Sequence, residues 1–120
     1  MKAAFALLCC LIVSCAGLQS PAASGLQGEW RYADKVQSCQ YVFRRDGSFS
    51  GEVIYRKKLI SKFTGRWSVH GTNLLYTYTS DLLGRIPAGT TDRDKLLTVR
   101  KDFFIIEAAN GNRRKYLRLH

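Results

Sequence analysis

An all-β domain is predicted: eight antiparallel strands in an up-and-down meander, rolled into a barrel or half-barrel behind an N-terminal signal segment. Three observations predict it. Apolar residues recur two or four apart, as in Tyr41 and Phe43, then Phe49, Val53 and Tyr55, then Phe63, Trp67 and Val69, which is the period of a strand with one buried face. The runs are divided by turn residues at Asp46-Gly47, His70-Gly71 and Asn110-Gly111-Asn112. No helical segment is read after residue 14. Rolling such a meander into a barrel removes its exposed edges, and an open, strongly curved sheet is the alternative.

The strands are expected at 27–32, 38–45, 48–56, 61–69, 73–79, 95–101, 103–108 and 113–119. The first carries Trp30 and Tyr32. The second and third read as a hairpin on Asp46-Gly47, whose glycine accepts a positive φ. The fourth ends at His70-Gly71 and hands over to the fifth, and the last two meet at Asn110-Gly111-Asn112. Gly51 and Gly65 lie inside strands, where they weaken pairing and permit bending. The longest connection, 80–94, holds Leu82, Leu83, Gly84, Ile86, Pro87 and Gly89. It reads either as a lid or contact loop at the barrel mouth or as an Ω-loop packed by its own leucines.

Ahead of this domain, Lys2 followed by the apolar run 3–13 and then Ile12-Val13-Ser14-Cys15 resembles the lipobox of a bacterial lipoprotein precursor. The resemblance implies cleavage after residue 14 and a diacylglyceryl group on Cys15. It also implies an exported protein held at the cell envelope by its lipid. Ala16, rather than aspartate, favours the outer membrane where the cell has one. The alternative is a secreted or periplasmic protein cut at Ser20-Pro21-Ala22. A transmembrane helix needs about 18 apolar residues, more than this run supplies. Residues 15–25 then read as a flexible tether, and 26–120 as the barrel domain.

Cleavage leaves 106 of the 120 residues, one small domain. Cys9 and Cys10 leave with the leader, Cys15 takes lipid, and Cys39 is left without a disulfide partner. It reads as a buried small hydrophobe or a reactive thiol. Loss of Lys2 leaves 18 basic residues against 9 acidic, a net charge of +9. Such an excess speeds encounter with anionic surfaces. At an envelope address these are phospholipid headgroups, lipopolysaccharide or acidic wall polymers, and not nucleic acid; a merely solvated basic surface is the alternative.

Leu26-Gln27-Gly28-Glu29-Trp30 resembles the Gly-x-Trp opening of lipocalin-like (calycin) proteins. Asp46-Gly47-Ser48-Phe49-Ser50-Gly51 and Gly65-Arg66-Trp67 strengthen the likeness to small bacterial lipocalin-like domains. The resemblance implies that Trp30 closes the bottom of the barrel, with an arginine of the last strand, Arg118 or else Arg114, across its ring. Gly28, Trp30 and Arg118 are thus the expected closing set. Against that resemblance, no C-terminal helix like that of full lipocalins is expected within these residues, and little barrel depth. If most of its aromatics point inward they fill the barrel, since eight strands enclose side chains or one small ligand.

Two functions are expected. One is capture of a small apolar or amphipathic ligand, with Trp30, Tyr76, Tyr78, Leu82 and Leu83 lining the mouth. The other is a solid-core interaction module that displays Arg44, Arg45, Arg56, Lys57 and Lys58 to an anionic envelope polymer or to an enzyme that it inhibits. The protein is expected to be a monomer without enzymatic activity or cofactor. His70 and His120 are poorly placed as general bases, and no nucleophile elbow or phosphate-cradling loop is present. Asp81, Asp92 and Asp94 fall short of a calcium pattern, and one free cysteine with two distant histidines cannot make a zinc site. Glu29 and Glu52 would pair only if their strands adjoined.

Overall fold

The computed structural model describes residues 21–119, so the expected signal segment, the expected lipidation site Cys15 and His120 lie outside the described residues. A short helix α1 (Pro21–Leu26) precedes β1 (Gly28–Ala33), β2 (Gln37–Phe43), β3 (Ser48–Tyr55), β4 (Lys58–His70), β5 (Asn73–Asp81), β6 (Thr91–Val99), β7 (Phe103–Glu107) and β8 (Arg113–Arg118). Every strand pairs antiparallel with its successor, and β8 returns to β1 to close the barrel. The closing seam is short. Only Trp30↔Arg118 and Arg31↔Leu117 are in register across it, with one further bond from the Leu119 N–H to the Glu29 carbonyl.

The up-and-down path sorts the connections onto two ends. Turns β2–β3, β4–β5 and β6–β7 lie at one end with α1. Turns β1–β2, β3–β4, β5–β6 and β7–β8 lie at the other. We call these the closed end and the open end. Among the described residues eight strands close on themselves around one core, so residues 21–119 carry a complete closed barrel, enough to fold as a unit.

Three elements differ from the sequence reading. Residues 21–25, read as tether, belong to α1, whose Ala23 and Leu26 are buried against the closed end. One and a half turns are too few for a helical period to show. Strand β6 starts at Thr91, not at residue 95, because Asp92 and Asp94 occupy inward register positions opposite Tyr76 and Leu74. Carboxylates at those places hide the strand period, and the connection shortens to 82–90. Strand β2 stops at Phe43. A turn over residues 44–47 then closes through a bond from the Gly47 N–H to the Arg44 carbonyl (3.0 Å), with Gly47 at φ 89°. This is a type I turn followed by a left-handed residue, the usual longer hairpin connection.

The interior is aromatic. Of the thirteen Phe, Trp and Tyr residues in the described chain, ten are buried: Trp30, Tyr41, Phe43, Phe49, Phe63, Trp67, Tyr76, Tyr78, Phe104 and Tyr116. Tyr41 sits at the hub, with ring centroids of Phe43, Phe63, Tyr76 and Tyr116 between 5.5 and 6.0 Å away. Phe104 stacks on Tyr116 at 4.8 Å and 6°. Gly51 makes this packing possible, because a Cβ there would come within 2.6 Å of the Tyr41 ring and 2.8 Å of the Phe63 ring. Rings in contact across an eight-stranded barrel fill its width.

Candidate functional site

The closed end is a latch built by three residues. Gly28 has φ 125°, and a Cβ on it would lie 2.5 Å from Nη1 of Arg118. Only glycine satisfies both the backbone and the space. The vacated room lets the Arg118 guanidinium lie over the Trp30 ring at 4.1 Å. From there Nη1 donates to the Gln27 carbonyl (2.8 Å), Nη2 to the Gly25 carbonyl (2.9 Å) and Nε to the Lys101 carbonyl (2.6 Å). Trp30 Nε1 donates to the Leu26 carbonyl at 2.8 Å. One cation thus joins α1, β8 and the β6–β7 turn beneath a fully buried indole. Trp67, two residues after Gly65, repeats the device by donating from Nε1 to the Arg44 carbonyl at 2.9 Å.

Toward the open end the interior turns polar. Tyr76 donates its hydroxyl proton to Asp94 at 3.0 Å. Burial raises the Asp94 carboxyl above its ordinary range; the Tyr76 hydrogen bond opposes this, and neighbouring Asp92 adds to it. Burial likewise drives the Tyr41 and Tyr76 hydroxyls well above the usual tyrosine range. The Arg114 guanidinium lies over the Tyr32 ring at 5.0 Å, and its Nη1 stands 3.9 Å from Cys39 Sγ. Cys39 is buried and also accepts from Gln37 Nε2 at 3.3 Å. The group is packed: among described residues that are not exposed, no buried side-chain N or O lacks a partner.

The rim of the open end is the least expected part. Six large apolar side chains are exposed among the described residues, and five of them, Val36, Tyr55, Leu59, Leu82 and Leu83, lie in or beside open-end loops. Turn β3–β4 consists of Arg56 and Lys57 alone, both left-handed, with φ 49° and 69°. A two-residue hairpin of this kind ordinarily takes Asn-Gly. Loop 82–90 is braced by Asp81, whose carboxylate accepts from Ser61 Oγ and from the N–H groups of Lys62, Leu83, Arg85 and Ile86 at 2.8 to 3.1 Å. Burial would raise the Asp81 carboxyl, but the Ser61 hydroxyl and the backbone donors outweigh it and hold it below its ordinary value.

Several expected site residues fall elsewhere. Trp30 is fully buried at the closed end, opposite the 82–90 loop, so it lines no mouth. Tyr76 and Tyr78 are buried in the aromatic packing, while Leu82 and Leu83 face solvent; these four do not form one pocket. The basic patch divides. Arg44 and Arg45 sit in a closed-end turn and Arg56, Lys57 and Lys58 at the open end, separated by the length of β3, about 26 Å at 3.3 Å per residue. Arg114 belongs to the open end, so Arg118 alone crosses Trp30. Glu29 and Glu52 lie on β1 and β3, with β2 between them. Grooves of about 740 and 230 Å³ run over the wall, the first lined by Arg66, Leu75, Thr77 and Arg93, the second by Val42, Glu52, Lys62 and Leu82.

No family model matches the chain, and no curated protein matches it. Among solved structures it is similar to a lipocalin-like protein from Bacteroides uniformis, at a TM-score of 0.59 and 20% identity, over 79% of this chain and 99% of that one. The chain therefore has a lipocalin-like, eight-stranded, up-and-down barrel fold.

Proposed function

We propose that the chain is the precursor of a lipid-anchored envelope protein, a non-catalytic binding module that engages an anionic envelope component through its outer surface. Ile12-Val13-Ser14-Cys15 supports export and anchorage, and Ala16 supports the outer membrane where one exists. The observation that carries the binding mode is the aromatic filling of the barrel. Ten rings in mutual contact leave the lipocalin-like shell working as a rigid mount. The net charge of +9 after cleavage supplies the attraction to anionic partners.

The test is a pair of titrations followed by tryptophan fluorescence. Fatty-acid and retinoid-like probes should leave Trp30 and Trp67 emission unchanged. Anionic vesicles or an acidic glycan should bind, with an affinity that falls steeply as salt screens the charges. Saturable quenching by a small apolar probe would restore the carrier reading. Salt-insensitive binding would remove charge from the account.

A second reading has one observation of its own. Asp94, Tyr76, Arg114 and Tyr32 gather on the interior side of the open end, an arrangement suited to the polar head of a small amphipathic ligand seated above the rings. It predicts binding that Arg114→Ala abolishes and that Arg56 and Lys57 do not influence.

A further inference from the structure

The open-end rim combines two properties that loops seldom combine: apolar side chains held out into water, and a frame that holds them there. Val36, Tyr55, Leu59, Leu82 and Leu83 are between 39% and 77% exposed. Solvent-facing leucines normally cost nothing singly, but here they cluster at one end. The remaining exposed large apolar residue, Leu117, lies on the wall in β8.

Their loops are built. Asp81 gathers five donors under the segment that carries Leu82 and Leu83, and the Leu82 N–H donates to the Lys62 carbonyl at 2.8 Å. Asp34 Oδ1 accepts from the Val36 and Gln37 N–H groups at 2.9 and 2.8 Å. The Arg56 N–H joins this turn to the β3–β4 turn through the Val36 carbonyl at 2.7 Å. Asp34 and Asp81 are thus turned to donors that brace the loops, while Glu107 pairs with Arg113 beside the β7–β8 turn.

Cations flank the apolar tips. Lys35, Arg56, Lys57, Lys58 and Arg85 are all exposed. Arg56 and Lys57 hold a left-handed turn that Asn-Gly would form with less strain, so the charges stand where turn chemistry disfavours them. Leucine, valine and tyrosine at loop tips, ringed by lysine and arginine, match a bilayer interface. Apolar tips enter the headgroup and acyl boundary, tyrosine suits the headgroup level, and each cation near an anionic surface adds attraction. An acidic polymer would be matched by the cations alone and would leave the apolar tips without a role.

We propose that the open-end rim is a membrane-docking surface that seats on an anionic phospholipid bilayer, with Tyr55, Leu59, Leu82 and Leu83 entering the interface and Arg56, Lys57 and Lys58 meeting the headgroups. The proposal rests on the surface-binding reading above and names its partner. α1 lies at the opposite end, and the link from Cys15 to Pro21 reaches about 20 Å at full extension, less than the length of β3, so the rim faces a bilayer other than the one that would hold a lipid on Cys15.

The test uses the unlipidated barrel from Pro21 onward, sedimented with phosphatidylglycerol–phosphatidylcholine vesicles and with phosphatidylcholine vesicles. Tenfold or greater preference for the anionic vesicles is expected. Leu82→Ser with Leu83→Ser, both exposed and therefore harmless to folding, should reduce binding at least tenfold, as should Arg56→Ser with Lys57→Ser. The closed-end pair Arg44→Ser and Arg45→Ser should change it less than threefold. Equal losses from both ends, or indifference to the leucine changes, would overturn the rim as a lipid surface. Binding to dextran sulfate, but not to vesicles, would also overturn it while leaving the anionic-partner reading intact. Failure to bind either would end both.

Discussion

The closed and open ends of this barrel are cut from the same strands and use their polar groups in opposite ways. At the closed end three side chains donate onto backbone: Arg118 onto three carbonyls, Trp30 onto Leu26, Trp67 onto Arg44. At the open end carboxylates hold loops from beneath, and apolar and cationic side chains are left outside. One end lowers the free energy of the fold. The other accepts a strained turn, a cost that folding alone does not explain.

The largest expected effect falls on the closed end. Trp30→Ala removes a fully buried indole, its ring contact with Phe104 at 4.8 Å and the Arg118 stack. Chemical denaturation should show a loss of about 3–5 kcal/mol. Tyr55→Ala at the rim should stay within about 0.5 kcal/mol. Similar losses at the two sites would erase the contrast. Next in size is Arg118→Lys, which keeps the charge but loses the planar fork that reaches the Gly25 and Gln27 carbonyls. It should cost about 1.5–3 kcal/mol. A neutral result would mean that α1 docks without the latch.

At the open end the sign should reverse. Replacing Arg56-Lys57 by Asn-Gly relieves two left-handed residues at about 1–2 kcal/mol each, so the double variant should melt several degrees higher while losing vesicle affinity. A variant that gains stability and still binds would separate the strain from the docking surface. The Leu82→Ser and Leu83→Ser pair adds the complementary case, binding lost with stability unchanged.

Smallest is the effect of acid. Asp81 is depressed below 3.8 in the folded state, so the stability it contributes is complete above 3.8 and is lost as pH falls through its lower folded value. Asp94 is raised, so its charged form opposes folding at neutral pH, and protonation above 3.8 relieves that. Unfolding free energy measured against pH should therefore have a shallower acid limb below 3.8 in Asp81→Asn, and a flatter profile above 3.8 in Asp94→Asn. Unchanged profiles would show that neither carboxylate is coupled to folding.

Much of the fold could be read from the chain because period-two alternation of large aromatics has one physical meaning, a strand with a buried face. The Gly28-Glu29-Trp30 motif carried further than its length suggests, since only a glycine leaves space for a guanidinium against the indole. What escaped was hidden by local chemistry. Asp92 and Asp94 turned inward and disguised the start of β6 as loop. A two-residue turn fell on Arg56-Lys57, where no turn residue signals it, while Asp46-Gly47 served a longer connection. The five cations read as one patch belong to two ends, a distinction that follows only once β3 is known to run between them.

Amide hydrogen exchange of the barrel, with and without phosphatidylglycerol vesicles, tests most directly the claim that the interior is scaffold and the rim is the working surface. The account predicts added protection confined to residues 55–59 and 82–86, with the closed-end ladders of β1, β2 and β8 unchanged. Protection appearing along those ladders, or nowhere at the rim, would contradict it.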